Sequence, residues 1–286
     1  MSVTDFDLPA PRLLLAVTGV EAAVLLGTGS GLLLVPGWID DIWPWVLTPF
    51  NARFLGAIYL SSFAAVAAML VRPRWAPARV LVPMILTFTA VVLAVSLLST
   101  DRFRGGQATI MTTAWFVLYV VIPGNAAWHL WRYRDRSWWG GLALPTGWLQ
   151  FLRAQAAIMG AYGIAVLAAG AAVTGFWPWP IDDFHARIYS AVFLTGSVGL
   201  WLLTRGAPAV EVATIGITQG VLGSLSVLGL ILVDWSVSRV DWGAGGTWLW
   251  ISWFSVAAIA GLALALYSRR HEARLLPPVA GSRPPS

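Results

Sequence analysis

Eight long apolar stretches restrict the fold of this 286-residue chain more than any motif does. A helix of about 20 apolar residues crosses the hydrocarbon core of a bilayer. Hydrophobic residues make up 58% of the chain and charged residues only 11%, well below the roughly 25% that is typical of soluble domains. The sequence therefore predicts an all-α integral membrane protein with eight transmembrane helices, near residues 13–35, 54–71, 80–98, 109–131, 152–175, 188–204, 212–233 and 247–267.

One segment of the chain occurs twice. Residues 43–60 and 177–194 both begin with Trp-Pro-Trp, and their ungapped alignment contains eight identities in eighteen positions. An Arg-x-Ala-Pro-Ala sequence follows each copy, at 74–78 and 205–209. This pattern predicts a tandem duplication.

The duplication predicts two four-helix repeats, residues 1–140 and 141–270, followed by a disordered cytoplasmic tail at 271–286. Because four is an even number of spans, both repeats enter the membrane from the same side. We therefore expect parallel repeats related by a pseudo-two-fold axis along the membrane normal.

The distribution of Arg predicts the orientation. All 18 basic residues are Arg, and the net charge is +5. The predicted loops on the side of both termini hold twelve Arg, and the opposite loops hold five. Since cytoplasmic loops are enriched in basic residues, we expect a plasma-membrane protein with both termini in the cytoplasm. Arg at the membrane flanks accounts for the basic charge, so no nucleic-acid partner is expected.

The duplicated segments are predicted to lie at the outer membrane surface. Thr48 and Asp182 precede the second and sixth spans and are good N-cap residues. We interpret the Trp-Pro-Trp sequences as interfacial elbows whose indoles anchor the loops at headgroup depth. Stacking on a substrate is the alternative role for these four residues, Trp43, Trp45, Trp177 and Trp179.

Arg53 and Arg187 each lie one turn inside a predicted helix whose N-terminus already carries partial positive charge. Each cation therefore needs a partner. One interpretation is a structural ion pair that fixes the outer loop, and the other is a vestibule that attracts an anionic solute or a lipid phosphate. The acidic residues near enough in sequence are Asp40, Asp41, Asp182 and Asp183.

Glu21 is a carboxylate well inside a predicted span, and intramembrane acids are costly unless they are paired or protonated. Arg153, near the cytoplasmic start of the fifth span, is the predicted partner. A protonated acid and a coupling-ion site are the alternatives.

Gln219 is a second polar residue at membrane depth. We expect it to hydrogen-bond between helices, with a substrate contact as the alternative. Gly216 and Gly220 on the same span form a small-xxx-small pattern that predicts close helix packing.

The chain contains no Lys and no Cys. This excludes a Walker A lysine, Schiff-base cofactors and Cys metal sites, and no catalytic residue, cofactor or metal is assigned. Asp182, Asp183, His185 and Arg187 form one cluster with acid-base potential at the predicted outer surface.

The sequence at 43–49, Trp-Pro-Trp-x-Leu-Thr-Pro, followed by Ala52-Arg53, resembles a group of uncharacterised polytopic membrane proteins of high-GC actinobacteria. The second copy departs from the pattern, with Asp182-Asp183 in place of Thr-Pro. The resemblance implies a membrane location and no particular activity.

Three classes of function remain. The sequence favours a non-enzymatic membrane component that binds lipids, a protein partner or a second copy of itself, because folding and anchoring explain the repeated residues best. A transporter or permease for a small solute, with its site between the repeats, is the alternative. An outer-face enzyme acting on a lipid headgroup is the third.

Overall fold

The computed structural model describes residues 8–135 and 141–275, and all regular secondary structure in these ranges is helical. Within these ranges eight helices are long and apolar enough to cross a membrane, which confirms the predicted all-α architecture and agrees with the predicted number of long apolar helices. They are α1 (Arg12–Leu34), α3 (Pro49–Val71), α4 (Trp75–Leu98), α5 (Thr109–Arg132), α6 (Thr146–Ala169), α7 (Asp183–Leu203), α8 (Ala209–Val237) and α9 (Gly245–Leu275); the short α2 is Pro36–Asp40.

The last helix is longer than predicted. α9 continues to Leu275, so residues 271–275 of the expected disordered tail are helical. The rest of that tail, residues 276–286, lies outside the described residues.

Two predicted helix caps are confirmed. The Thr48 hydroxyl accepts a 3.2 Å hydrogen bond from the Asn51 backbone N–H, and Pro49 is the first residue of α3. The Asp182 carboxylate accepts from the His185 backbone N–H at 3.1 Å. Each cap satisfies an N–H that has no partner inside the helix, so α3 and α7 both begin directly after the Trp-Pro-Trp loops.

The central helices are α3, α4, α7 and α8. Helix α3 packs against α8, and α4 packs against α7. The outer helices each lie along one central helix, α1 along α3, α5 along α4, α6 along α7 and α9 along α8.

Close backbone contact between α8 and α9 depends on two glycines. A Cβ at Gly223 would lie 2.3 Å from the Phe254 carbonyl oxygen, and one at Gly216 would lie 2.6 Å from that of Gly261. A Cβ at Gly220 would meet its nearest atom at 3.7 Å, an ordinary contact. The expected close packing therefore involves Gly216 and Gly223, and Gly220 is not required for it.

A buried ion pair joins α4 to α8. The Arg79 Nε donates to Glu211 at 2.9 Å, its Nη2 donates to the same carboxylate, and Nη2 also reaches the Gly206 carbonyl at 3.1 Å. Both side chains are almost completely buried. The sequence did not indicate this pair, because Arg79 and Glu211 each lie one position before a predicted span, at 80–98 and 212–233.

Candidate functional site

The four Trp of the duplicated loops are buried, with exposed fractions of 2%, 2%, 7% and 4% for Trp43, Trp45, Trp177 and Trp179. Aromatic side chains of α3, α5, α7 and α9 pack around them. The prediction that these indoles anchor the loops in the headgroups is therefore wrong, because the loops fold inward between helices. Exposed indoles lie near other helix ends, at Trp38, Trp128, Trp131, Trp235 and Trp248.

Two hydrogen bonds connect the loops to the opposite half of the chain. The Trp45 Nε1–H donates to His185 Nε2 at 3.1 Å, and the Trp179 Nε1–H donates to Asn51 Oδ1 at 2.9 Å. Asn51 and His185 both lie three residues after a helix cap. These bonds fasten each Trp-Pro-Trp loop to the start of a helix from the other half.

The Asp182 carboxylate orients the His185 ring. Asp182 Oδ2 lies 2.5 Å from Nδ1, so the Nδ1–H donates to the carboxylate while Nε2 accepts from Trp45. Partial burial raises the pKa of Asp182, but the hydrogen bonds from the His185 ring and from the His185 backbone N–H outweigh burial and hold that pKa at about 2. The carboxylate is therefore ionised at neutral pH and acts as a structural acceptor.

The expected ion pairs of Arg53 and Arg187 are absent from the described residues. Asp40 instead lies 3.5 Å from the Arg104 guanidinium, and Asp183 accepts from the Ala171 backbone N–H at 2.8 Å. Asp40 and Asp183 therefore contact groups other than Arg53 and Arg187. Asp41 likewise forms no ion pair with either Arg in the described part of the structure, and the Arg53 Nε is buried without a hydrogen-bond partner there.

The predicted outer cluster is only partly assembled. Asp182 and His185 are hydrogen-bonded, whereas the side chains of Asp183 and Arg187 form no hydrogen bond or ion pair with that pair in the described residues. Those residues also contain no group of three side chains that could hold a metal ion.

A cavity of about 120 Å³, here called the central cavity, lies between helices of both halves. Its polar lining includes Glu21 of α1, Gln155 of α6, Thr195 of α7 and Gln219 of α8, together with the hydroxyl side chains of Ser61, Ser62, Thr89 and Thr218. Most of the remaining lining is apolar and includes Ile58, Leu81, Met84, Phe88, Val192, Ile215 and Phe254.

Polar atoms in the central cavity have no partner in the described structure. These are Gln155 Oε1, Thr195 Oγ1 and both terminal atoms of Gln219. Because buried polar groups are normally hydrogen-bonded, such a concentration points to a ligand or water. Gln219 therefore does not make the interhelical hydrogen bond that was predicted.

A second cavity of about 220 Å³, here called the side cavity, lies among α1, α3, α4 and α5. Glu21 lines the side cavity as well as the central cavity. Aromatic rings form its wall at Trp43, Tyr59, Trp115 and Tyr119.

The predicted pair of Glu21 with Arg153 is not formed. Arg153 is exposed on α6, and α1 packs along α3 rather than along α6. In the described residues Glu21 has no hydrogen bond and no ion pair, although it is partly buried. The prediction matched the two residues by depth, but the helices that carry them are not neighbours.

Sequence reasoning missed Gln155 and Thr195. Gln155 follows Glu21 by 134 positions, the same separation as the two Trp-Pro-Trp loops. The same separation of 134 positions relates two helix contacts, since Gly29 packs on Leu60 and Gly163 packs on Leu194. Extending the ungapped alignment backwards would have indicated Gln155.

In the part of the chain that the structure describes, the fold and cavities define an all-helical protein with eight helices suited to a multi-pass membrane protein and with unpaired polar groups inside. Comparison with known proteins found no matching family model, no similar curated protein and no similar solved structure. The resemblance to actinobacterial membrane proteins stays a prediction.

Proposed function

We propose that the protein binds a small solute in the central cavity and acts as a transporter or permease of the membrane. The observation that carries this proposal is the set of unpartnered polar atoms contributed by α6, α7 and α8, beside the unpaired carboxylate of α1. Leaving such groups unpaired costs about 1–3 kcal/mol each. Several unpaired polar groups in one cavity lower the stability of the protein, and this cost is expected where the cavity binds a ligand.

The internal duplication supports a site between two repeats. Let α1, α3, α4 and α5 of the first half correspond to α6, α7, α8 and α9 of the second. Each major helix contact then has a counterpart. The α1–α3 contact corresponds to α6–α7, the α4–α5 contact to α8–α9, and the α3–α8 contact to α7–α4. Parallel repeats with a pseudo-two-fold axis account for this pairing. Transporters bind their substrates at such repeat interfaces near the bilayer midplane.

We further propose a plasma-membrane location with both termini in the cytoplasm, supported by the Arg asymmetry. A cysteine introduced at Ala244 should react with an impermeant maleimide in intact cells, and one at Ser282 should not. The reverse labelling would overturn the orientation.

The binding site is tested by replacing Gln219 with Leu. If Gln219 is kept for a ligand, Gln219→Leu removes unpaired buried atoms, so the melting temperature in detergent should stay equal or rise. Small molecules that copurify with the wild type, detected by mass spectrometry of an organic extract, should be lost. The matched control is Asn51→Leu, which removes a hydrogen-bonded buried amide and should lower the melting temperature.

Two outcomes would contradict the proposal. Marked destabilisation by Gln219→Leu would make Gln219 a structural residue. Identical small-molecule content in wild type and Gln219→Leu would place any ligand elsewhere.

Transport is tested separately with the compound so identified. Uptake of that compound into proteoliposomes should require the protein and should be lost in Gln219→Leu. Binding without uptake would leave a solute-binding membrane protein and exclude a permease.

Binding of an anionic lipid is a second candidate, and Arg53 favours it. Its Nε is buried without a partner in the described structure, and its backbone packs on Gly229 of α8. A lipid phosphate would satisfy the guanidinium. Native mass spectrometry should then show lipid adducts that are lost in Arg53→Gln and retained in Arg239→Gln.

A further inference from the structure

We infer that the side cavity binds a small organic ammonium ion, with Glu21 as its counter-ion and an aromatic wall around its charge. The inference rests on the proposed function and names the chemical class of the solute. It depends on three features of the side cavity: its charge, its aromatic lining and one unpaired donor.

The one acidic group of both cavities is a carboxyl group. Glu21 is the only acidic residue among their described lining residues, and those residues include no Arg or His. Glu21 forms no ion pair in the described structure, and it lines the side cavity together with Tyr119. An anionic solute would meet repulsion here, whereas a cation would supply the missing partner.

The wall of the side cavity suits a weakly hydrated cation. The Trp115 and Tyr119 ring centroids are 4.2 Å apart, Trp43 lies 5.9 Å from Trp115, and Tyr59 lies 6.2 Å from Trp43. Several aromatic rings around one space are the usual means by which proteins bind quaternary ammonium groups. Calcium and magnesium sites usually combine several carboxylate and carbonyl ligands, whereas Glu21 is the only acidic residue among the described lining residues.

The unpaired donor is the Trp43 Nε1–H, which is buried without a partner in the described structure. The corresponding Trp177, 134 positions later, donates to the Tyr162 hydroxyl at 2.7 Å. Thr28, which lines the side cavity, stands 134 positions before Tyr162. The first half therefore has the short side chain of Thr28 at the position where Tyr162 fills the space in the second half. A ligand oxygen can accept from Trp43 as the Tyr162 hydroxyl accepts from Trp177.

The ligand thus carries an ammonium group at one end and an oxygen acceptor at the other. Glu21 and Thr28 are seven residues apart on α1, which is about 10 Å along the helix. This is the length scale of a small amino alcohol or ether, and the same chemistry occurs in a choline-type lipid headgroup.

The test uses choline and its neutral carbon isostere, 3,3-dimethylbutan-1-ol, titrated calorimetrically into the full-length protein in detergent. Choline should bind about tenfold more tightly than the isostere, because a desolvated cation-carboxylate contact contributes at least that factor. Glu21→Gln should remove this preference, and Asp241→Asn, which removes a charge outside both cavities, should keep it.

Thr28→Tyr is the second variant. It copies the second half of the chain, so it should fold, fill the side cavity and abolish binding of both compounds. Equal affinity for choline and its isostere, with loss of both in Thr28→Tyr, would overturn the ammonium assignment and leave a solute site intact. Absence of choline binding up to millimolar concentration, or wild-type preference in Glu21→Gln, would also overturn it.

The source of the ammonium group is decided in nanodiscs. If a lipid headgroup is the natural occupant, phosphatidylcholine nanodiscs should weaken choline binding relative to phosphatidylglycerol nanodiscs. Equal affinity in the two lipids would assign the site to a free solute.

Discussion

At the scale of single residues, the fold depends on donors and acceptors that meet across the two halves. Trp45 reaches His185 and Trp179 reaches Asn51, and in each case the acceptor lies beside a helix cap. The caps were predictable because they involve neighbours three residues apart. The acceptors of the two indoles were not, since those partners lie more than 120 positions away in sequence.

Replacement of His185 tests the role of this acceptor. His185→Leu leaves the Trp45 N–H buried without an acceptor and should destabilise the protein by about 1–3 kcal/mol. His185→Asn installs the residue found at the equivalent position of the first half and should cost much less. Thermal unfolding in detergent measures both, and equal losses would show that the hydrogen bond is unimportant.

The lowered pKa of Asp182 predicts that the protein loses stability in acid. Its pKa is lowered from the ordinary value of 3.8 to about 2, so its contribution is complete above about pH 4 and disappears as the pH falls towards 2. The melting temperature of the wild type should therefore approach that of Asp182→Asn over this interval. The effect should be modest because the carboxylate is about half exposed. A difference between the two proteins that is the same at pH 7 and pH 2 would contradict this.

At the scale of helices, eight apolar stretches predicted eight spans, because length and hydropathy are local properties. Which helices pack together was not predictable in the same way. Glu21 and Arg153 were matched by depth alone, whereas Arg79 and Glu211 form the buried pair because α4 and α8 both lie at the centre.

The contact between α8 and α9 predicts opposite outcomes for two similar substitutions. Gly223→Ala introduces a Cβ against the Phe254 carbonyl and should separate the helices, lowering the melting temperature clearly. Gly220→Ala has room and should be neutral or slightly stabilising, because Ala favours helix. Equal melting temperatures for the two variants would contradict the close contact between α8 and α9.

The Arg79 and Glu211 pair predicts strong coupling in a double-mutant cycle. Either Arg79→Leu or Glu211→Leu leaves a buried charge alone and should cost about 3–5 kcal/mol. The double variant should recover much of that loss. Additive losses in chemical unfolding would show that the two side chains do not interact.

At the scale of the whole molecule, the two halves agree in their loops and differ in their interiors. The loop indoles meet at 5.3 Å and 78° in the first half and at 5.2 Å and 77° in the second. Inside, Glu21 stands where the second half has Gln155, and Thr28 where it has Tyr162. The loop geometry is therefore alike in the two halves, whereas the side chains that line the cavities differ.

The proposed function requires that the cavities at Glu21 and Gln219 hold a solute. The most direct measurement is a cryo-electron microscopy map of the wild-type protein in a lipid nanodisc, compared with a map of Thr28→Tyr. The account predicts density from a bound molecule in contact with Glu21 in the wild type, and its loss from the side cavity in the variant. A closed interface in which Glu21 and Gln219 are paired with protein groups would contradict it.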